Sequence, residues 1–133
     1  MIKKVIRFIY ILLLVLCFGC GTSRVKSTIC KSSWVIDSIF YKGESFKGDF
    51  FSLNMIRFSK DGECDLPDFP SVGDYVGKWK LDNDKGKYYI NIYDSPDDVF
   101  NNQFEVKYKI EPQIINLELK SDILTMYCVR ENW

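Results

Sequence analysis

The chain contains no histidine, and no alanine appears among its 133 residues. Without His, the Ser-His-Asp and Cys-His nucleophiles are excluded, together with His-ligated zinc and His-ligated haem. Without Ala, the strongest helix former, and with Val, Ile, Tyr and Phe plentiful, the chain leans towards β structure. A basic block is missing as well. The 18 Lys and Arg match 18 Asp and Glu, but Lys3, Lys4 and Arg7 stand at the start with no acid near them. The remainder is therefore weakly acidic, which argues against nucleic acid as a partner. What is present in quantity is aromatic: ten Phe, eight Tyr and three Trp, with 27% charged residues, a composition that excludes disorder as the main state. The length gives one folded domain as the default.

The first twenty residues read as an address. A basic start leads into Phe8–Phe18, an uninterrupted apolar run. That run is shorter than the roughly 20 residues a membrane span needs, but it fits the apolar core of a secretory signal. Gly19 and Cys20 follow, then the small polar stretch Gly21-Thr22-Ser23. This order resembles a bacterial lipoprotein signal, with Cys17 at the position three before the cysteine, where Leu is usual. The resemblance implies removal of residues 1–19 and lipid on Cys20, hence a membrane-anchored protein of a bacterial envelope, in the outer membrane. An ordinary cleaved signal with Cys20 as a structural thiol is the competing reading, and a permanent anchor through residues 5–22 is a third. Three acyl chains on one cysteine exceed what stable anchoring requires.

Residues 20–33 read as a polar tether. From Trp34 to the end, short β-type runs recur about every 8–12 residues between turn signals. They are Trp34–Tyr41, Ser52–Ser59, Glu63–Leu66, Tyr75–Leu81, Lys87–Tyr93, Gln103–Ile110, Ile114–Lys120 and Ile123–Arg130. In Gln103–Ile110, Phe104, Val106, Tyr108 and Ile110 alternate with Glu105, Lys107 and Lys109, so one face is buried and the other wet. Glu63–Leu66, next to Pro67 and Pro70, is the weakest run. Strands run up and down in order would gather the long connections Lys42–Phe51, Asp68–Asp74 and Asp94–Asn102 at one end. The tight turns at Lys60–Gly62, Asp82–Gly86 and Pro112-Gln113 fall at the other. The predicted fold is all-β: a small eight-stranded antiparallel up-and-down barrel over residues 34–133, with a closed base and a mouth ringed by loops.

A Trp in the first strand, a Gly-x-Trp further on (Gly77-Lys78-Trp79) and an Arg at the end of the last strand complete a pattern. It resembles the small lipocalin-like lipoproteins of bacterial envelopes. The resemblance implies that Trp34 and Arg130 pack together and seal the base, and that the interior holds a small apolar ligand.

No residue set singles out an enzyme. There is no nucleophile with a flanking base, no phosphate-cradling loop and no cofactor fingerprint, so the chain reads as non-enzymatic and without a cofactor. Asp82–Gly86 begins like a calcium loop but has Gly86 and Tyr93 where ligands belong, and is read as a hairpin turn. Asp94, Asp97 and Asp98 read as a solvated loop rather than a metal site. Of the cysteines outside the signal, Cys30, Cys64 and Cys128 remain once Cys20 takes lipid. If Trp34 faces Arg130, Cys128 lies opposite Ile36, roughly 20 Å of strand from Cys30. A bridge tolerates only about 7 Å between Cα atoms, so Cys30–Cys64 is the expected disulfide and Cys128 a buried filler.

The aromatic loop residues Phe46, Phe50, Phe51 and Phe100, with Tyr75, Tyr93 and Phe104 at mouth-side strand ends, form the candidate rim; Trp79 and Tyr108 join Phe104 as interior lining. Three readings follow. The aromatic loop folds in and plugs a small barrel, or the barrel binds a small apolar or aromatic molecule inside, or the mouth aromatics dock an envelope protein.

Overall fold

The computed structural model of the chain describes residues 1–47, 54–67 and 76–132. It contains two compact units, Met1–Lys31 and Ser32–Trp133.

The first unit is one helix, α1 (Ile2–Cys30). The helix does not stop where the apolar run stops, and the expected irregular tether is helical as far as Cys30. Once a helix is nucleated, each further residue adds a hydrogen bond, and no proline interrupts Gly21–Cys30. Val25 and Ile29 stand four apart, on one helical face, a spacing that an otherwise polar stretch conceals. Thr28 Oγ1 donates to the Arg24 carbonyl at 3.0 Å, a further bond within the turn. Among the described residues no helix is long and apolar enough to cross a membrane.

The second unit is an eight-stranded antiparallel closed barrel, as the alternation predicts. Its strands are β1 (Trp34–Tyr41), β2 (Glu44–Lys47), β3 (Met55–Phe58), β4 (Glu63–Asp65), β5 (Val76–Asp84), β6 (Lys87–Tyr93), β7 (Gln103–Ile110), β8 (Ile114–Lys120) and β9 (Leu124–Glu131). β1 pairs with both β2 and β3, from β3 onward each strand pairs with the next, and β9 closes on β1. Nine segments make eight positions because β2 and β3 share one. β2 lies against Ser38–Tyr41, and β3 continues along the same edge of β1 at Trp34-Val35.

The expected run Ser52–Ser59 is realised as β3, and the connection Lys42–Phe51, read as a loop, contains β2 instead. A two-residue turn makes β2. Lys42 and Gly43 both have positive φ, 48° and 84°, the geometry that matches the twist of a tight hairpin. The same Lys-Gly pair recurs at Lys85-Gly86, with φ of 52° and 82°, between β5 and β6. There the Asn83 side chain accepts from the Gly86 amide at 3.2 Å, which confirms a turn at the calcium-like stretch.

Alternation explains most of the wall. Phe104 and Val106 of β7, Ile115, Leu117 and Leu119 of β8, and Leu124, Met126 and Cys128 of β9 are buried, with more exposed residues between them on β7 and β8. β1 departs from a strict period of two. Its register with β9 shifts between Ile36 and Ser38, a bulge at Asp37. Trp34 and Ile36 are buried before the bulge and Ile39 after it, while Phe40 is exposed.

Candidate functional site

At the base, the antiparallel register sets Val35 against Val129 and Ile36 against Cys128, which brings Trp34 beside Arg130. The Arg130 guanidinium carbon lies 4.4 Å from the centre of the Trp34 ring. Trp34 is completely buried and Arg130 only 7% exposed. Burial lowers the Arg130 pKa from its ordinary value; the ring face replaces part of the lost water, and Nη1 is buried without a hydrogen-bond partner among the described residues. Trp79 braces the neighbouring wall. Its Nε1 donates to the Ser59 carbonyl at 2.8 Å, and its ring meets Phe58 edge-on at 5.1 Å. Gly77 clears the space beside it: a Cβ there would lie 3.2 Å from Leu66 and 3.3 Å from the Cys64 sulfur. The Gly-x-Trp motif is thus a packing device.

The residues expected to line a ligand space are packed into a core. Phe104 has no exposed surface and Trp79 has 3%; Tyr108 is half-buried. Trp34, Phe58, Phe104, Leu117, Leu119 and Met126 are among the largest fully buried side chains. An eight-stranded barrel has an interior just wide enough for such side chains. The mouth loop 94–102 folds in rather than out. Phe100 is fully buried, and the loop is tied across its neck by Ser95 and Asn101. The Ser95 amide donates to the Asn101 side chain at 2.9 Å, and the Asn101 side-chain amide returns a bond to the Ser95 carbonyl at 3.1 Å. Phe46 sits on β2 opposite Ile39, half-buried, and Tyr93 is exposed at the end of β6. Phe50, Phe51 and Tyr75 lie outside the described residues, as does the Cys20 side chain.

The polar candidates have local explanations. Asp97 accepts from the Val99 amide at 3.0 Å and Asp98 from the Asn101 side chain at 3.3 Å, while Asp94 pairs with Lys78 at 3.6 Å. Asn91 donates its side-chain amide to Asp82. Among the described residues no group of three or more His, Cys, Asp or Glu could hold a metal ion. The expected Cys30–Cys64 bridge would join the two units; within the barrel the Cys64 thiol points into the wall over Gly77, with no exposed surface. Cys128 is a free thiol in the core. Burial pushes both thiols up to about 12.

The surface that stands out lies on the outside of the barrel, where the sequence reading placed nothing. Phe40, Val35, Met55 and Tyr127 are 46%, 41%, 37% and 45% exposed. The register makes them neighbours. Met55 pairs with Val35 and Val35 with Val129, Ser38 sits beside Tyr127, and Phe40 beside Thr125. They form an apolar panel across β3, β1 and β9. Against it lies an open depression of about 570 Å³ lined by Lys107, Asn116, Glu118, Tyr127, Val129 and Asp37, among others. Its lining also includes Tyr108, expected as interior lining, and the buried Leu117 and Cys128. The signal that could have found it is the outward register of Val35, Phe40, Tyr127 and Val129, four apolar residues on positions where a wet face carries polar ones.

The closed barrel is compatible with a lipocalin-like fold. No protein-family model, curated protein or solved structure matches the chain.

Proposed function

We propose that this chain is a non-enzymatic, lipid-anchored interaction protein of a bacterial envelope, which binds its partner through the outer panel of the barrel. The observation that carries the reading is an inversion of the expected arrangement. Inward positions hold large side chains with almost no exposed surface, whereas four exposed apolar residues, Val35, Phe40, Met55 and Tyr127, share one outer wall beside a depression; Val76, Tyr93, Ile110 and Ile123 are exposed elsewhere on the barrel. Buried core aromatics stabilise the fold and are closed to a ligand; an exposed apolar panel with charged neighbours has the make-up of a docking surface. The basic start, apolar run and Cys20 support the anchor. The small-ligand reading asks Phe100 and its loop to vacate the core.

Two measurements test this. Cys20→Ser expressed in a bacterial host should abolish lipid labelling and move the protein to the soluble fraction; retention in the membrane would refute the anchor. Titration with a fluorescent apolar probe should show no saturable site that survives Val35→Lys. A saturable, one-to-one site insensitive to Val35→Lys but lost on Trp79→Phe would return the function to the interior.

A further inference from the structure

The charges around the depression are sorted by the ladder. One row runs Lys107, Glu118, Tyr127, Ser38 from β7 through β8 and β9 to β1. Two residues along β7, a second row runs Lys109, Asn116, Val129. The bulge in β1 falls next to Ser38 and sets Asp37 on the rim, the re-aiming of a side chain that bulges allow. Tyr127, 45% exposed, therefore has a carboxylate on either side, Glu118 on β8 and Asp37 on β1, and both lysines stand together on β7. Lys109 is paired with Glu111 at 3.3 Å. Asp37, Glu118 and Lys107 are in no ion pair among the described residues, although Lys107 and Glu118 are register partners.

We propose that the depression binds a short peptide of about three residues with both termini free, its ammonium on Tyr127 between Asp37 and Glu118 and its carboxylate at Lys107. An ammonium is attracted by the face of an aromatic ring and donates to carboxylates, so the acid–tyrosine–acid set suits it. The Lys107 ammonium in turn donates to the peptide's carboxylate. From β9 to β7 is two strand spacings, about 10 Å, and three residues of extended chain reach about that far. Asn116 stands between the two ends on β8 and offers both a donor and an acceptor to the peptide groups. A depression of about 570 Å³ is within the range of small-ligand sites. The inference stands apart from the docking reading, because Val35, Phe40 and Met55 are not among the residues that line the depression.

The test is backbone-amide NMR of the isotope-labelled full-length chain in detergent micelles, titrated with trialanine. Saturable shifts should gather at Asp37, Asn116, Glu118 and Tyr127, with a Kd of about 1 mM for so small a ligand on an open site. Acetylating the peptide's amine, or changing Asp37→Asn, should each weaken binding about tenfold. Asp37→Asn should then leave the affinity for the acetylated peptide unchanged, which ties the carboxylate to the ammonium. Amidating the peptide's carboxylate and Lys107→Gln should be linked in the same way. Tyr127→Leu, which removes the ring and keeps an apolar side chain, should cost about threefold. The same spectra report whether each variant is folded. Absence of saturable shifts in the millimolar range, shifts centred elsewhere on the barrel, or a peptide capped at both ends that binds as tightly as the free one overturns the site. Val35→Lys should leave the peptide Kd within about twofold, so the docking reading and this site fail separately.

Discussion

The two halves of the barrel are built to different standards. From β5 to β9 the strands are seven to nine residues long. β5 and β6 stay in register from Lys78 to Asp84, and β8 and β9 from Ile114 to Lys120. From β1 to β4 the wall is patched together. β1 carries a bulge, its neighbour position is shared by two four-residue strands, and β4 has only Glu63–Asp65. Both halves bury large side chains, Phe104 in one and Trp34 and Phe58 in the other. What differs is the ladder. The regular half is held by backbone hydrogen bonds as well as by its core, and the patched half leans on side-chain packing: Trp34 on Arg130, Trp79 reaching across to Ser59, Cys64 against Gly77. Regions with short ladders open at lower free energy than those with long ones, so β2 to β4 should open before β6 to β8.

Truncation of the core gives the largest expected effect. Trp34→Ala and Phe104→Ala should each lower the unfolding free energy by about 3–5 kcal/mol, read by denaturant titration. A Trp34→Ala loss below about 0.5 kcal/mol beside a full loss for Phe104→Ala would mean that the patched half does not unfold with the rest.

The two thiols give a finer comparison, because one lies in each half. Both have pKa values raised to about 12 by burial, so the fold holds each thiol protonated where the unfolded chain ionises it. Their contribution to stability is complete below the ordinary thiol pKa and is lost as the pH climbs towards 12. At pH 8.5 alkylation must therefore proceed through opening. Mass-spectrometric mapping should find Cys64 labelled about tenfold faster than Cys128, a difference of about 1.4 kcal/mol in opening free energy. Equal rates would make the barrel one cooperative unit.

The smallest effect compares the two Lys-Gly turns. Gly43 and Gly86 have φ of 84° and 82°, and nothing lies within 4 Å of the place where a Cβ would go, so alanine at either position adds backbone strain and no clash. Gly86→Ala should cost about 1–2 kcal/mol of global stability. Gly43→Ala should cost less if β2, a four-residue strand, opens before the rest of the barrel. Equal losses would place β2 in the main cooperative unit.

The regular half was also the legible half. Three of its strands, β6, β7 and β8, have the bounds that the alternation predicts, and β1 does too, because apolar and polar residues take turns and turn residues mark the ends. The patched half was harder to read for physical reasons. β2 (Glu44–Lys47) buries little, so no apolar pattern marks it; the Lys42-Gly43 turn was its only signal. The Trp34–Arg130 contact follows from register, which sequence supplies once the seam is assumed. The state of Cys64 does not, because whether a thiol faces a partner or packs over a glycine depends on Gly77, thirteen residues away in sequence and adjacent only in the sheet. At the mouth, Phe100 looks like a rim residue by position, but it is buried in a loop tied by Ser95 and Asn101; Phe50, Phe51 and Tyr75 lie outside the described residues.

Asp37 can be seen as a correction mark in a two-letter code. A strand is read in, out, in, out, and a strict count from Trp34 would send Ser38 and Phe40 inside and leave Ile39 in water. The extra residue in the bulge skips one letter, so that Ile39 reaches the core and Phe40 the surface. Deleting Asp37 leaves Trp34, Ile36, Ile39 and Tyr41 on one face of an unbroken strand, so the message survives the loss of that letter. Adding a letter anywhere else in β1 garbles everything beyond it. The first strand therefore has one address at which its length is free to change by a residue, and that address lies on the outer wall, where a change of letter alters what the surface says without rewriting the core.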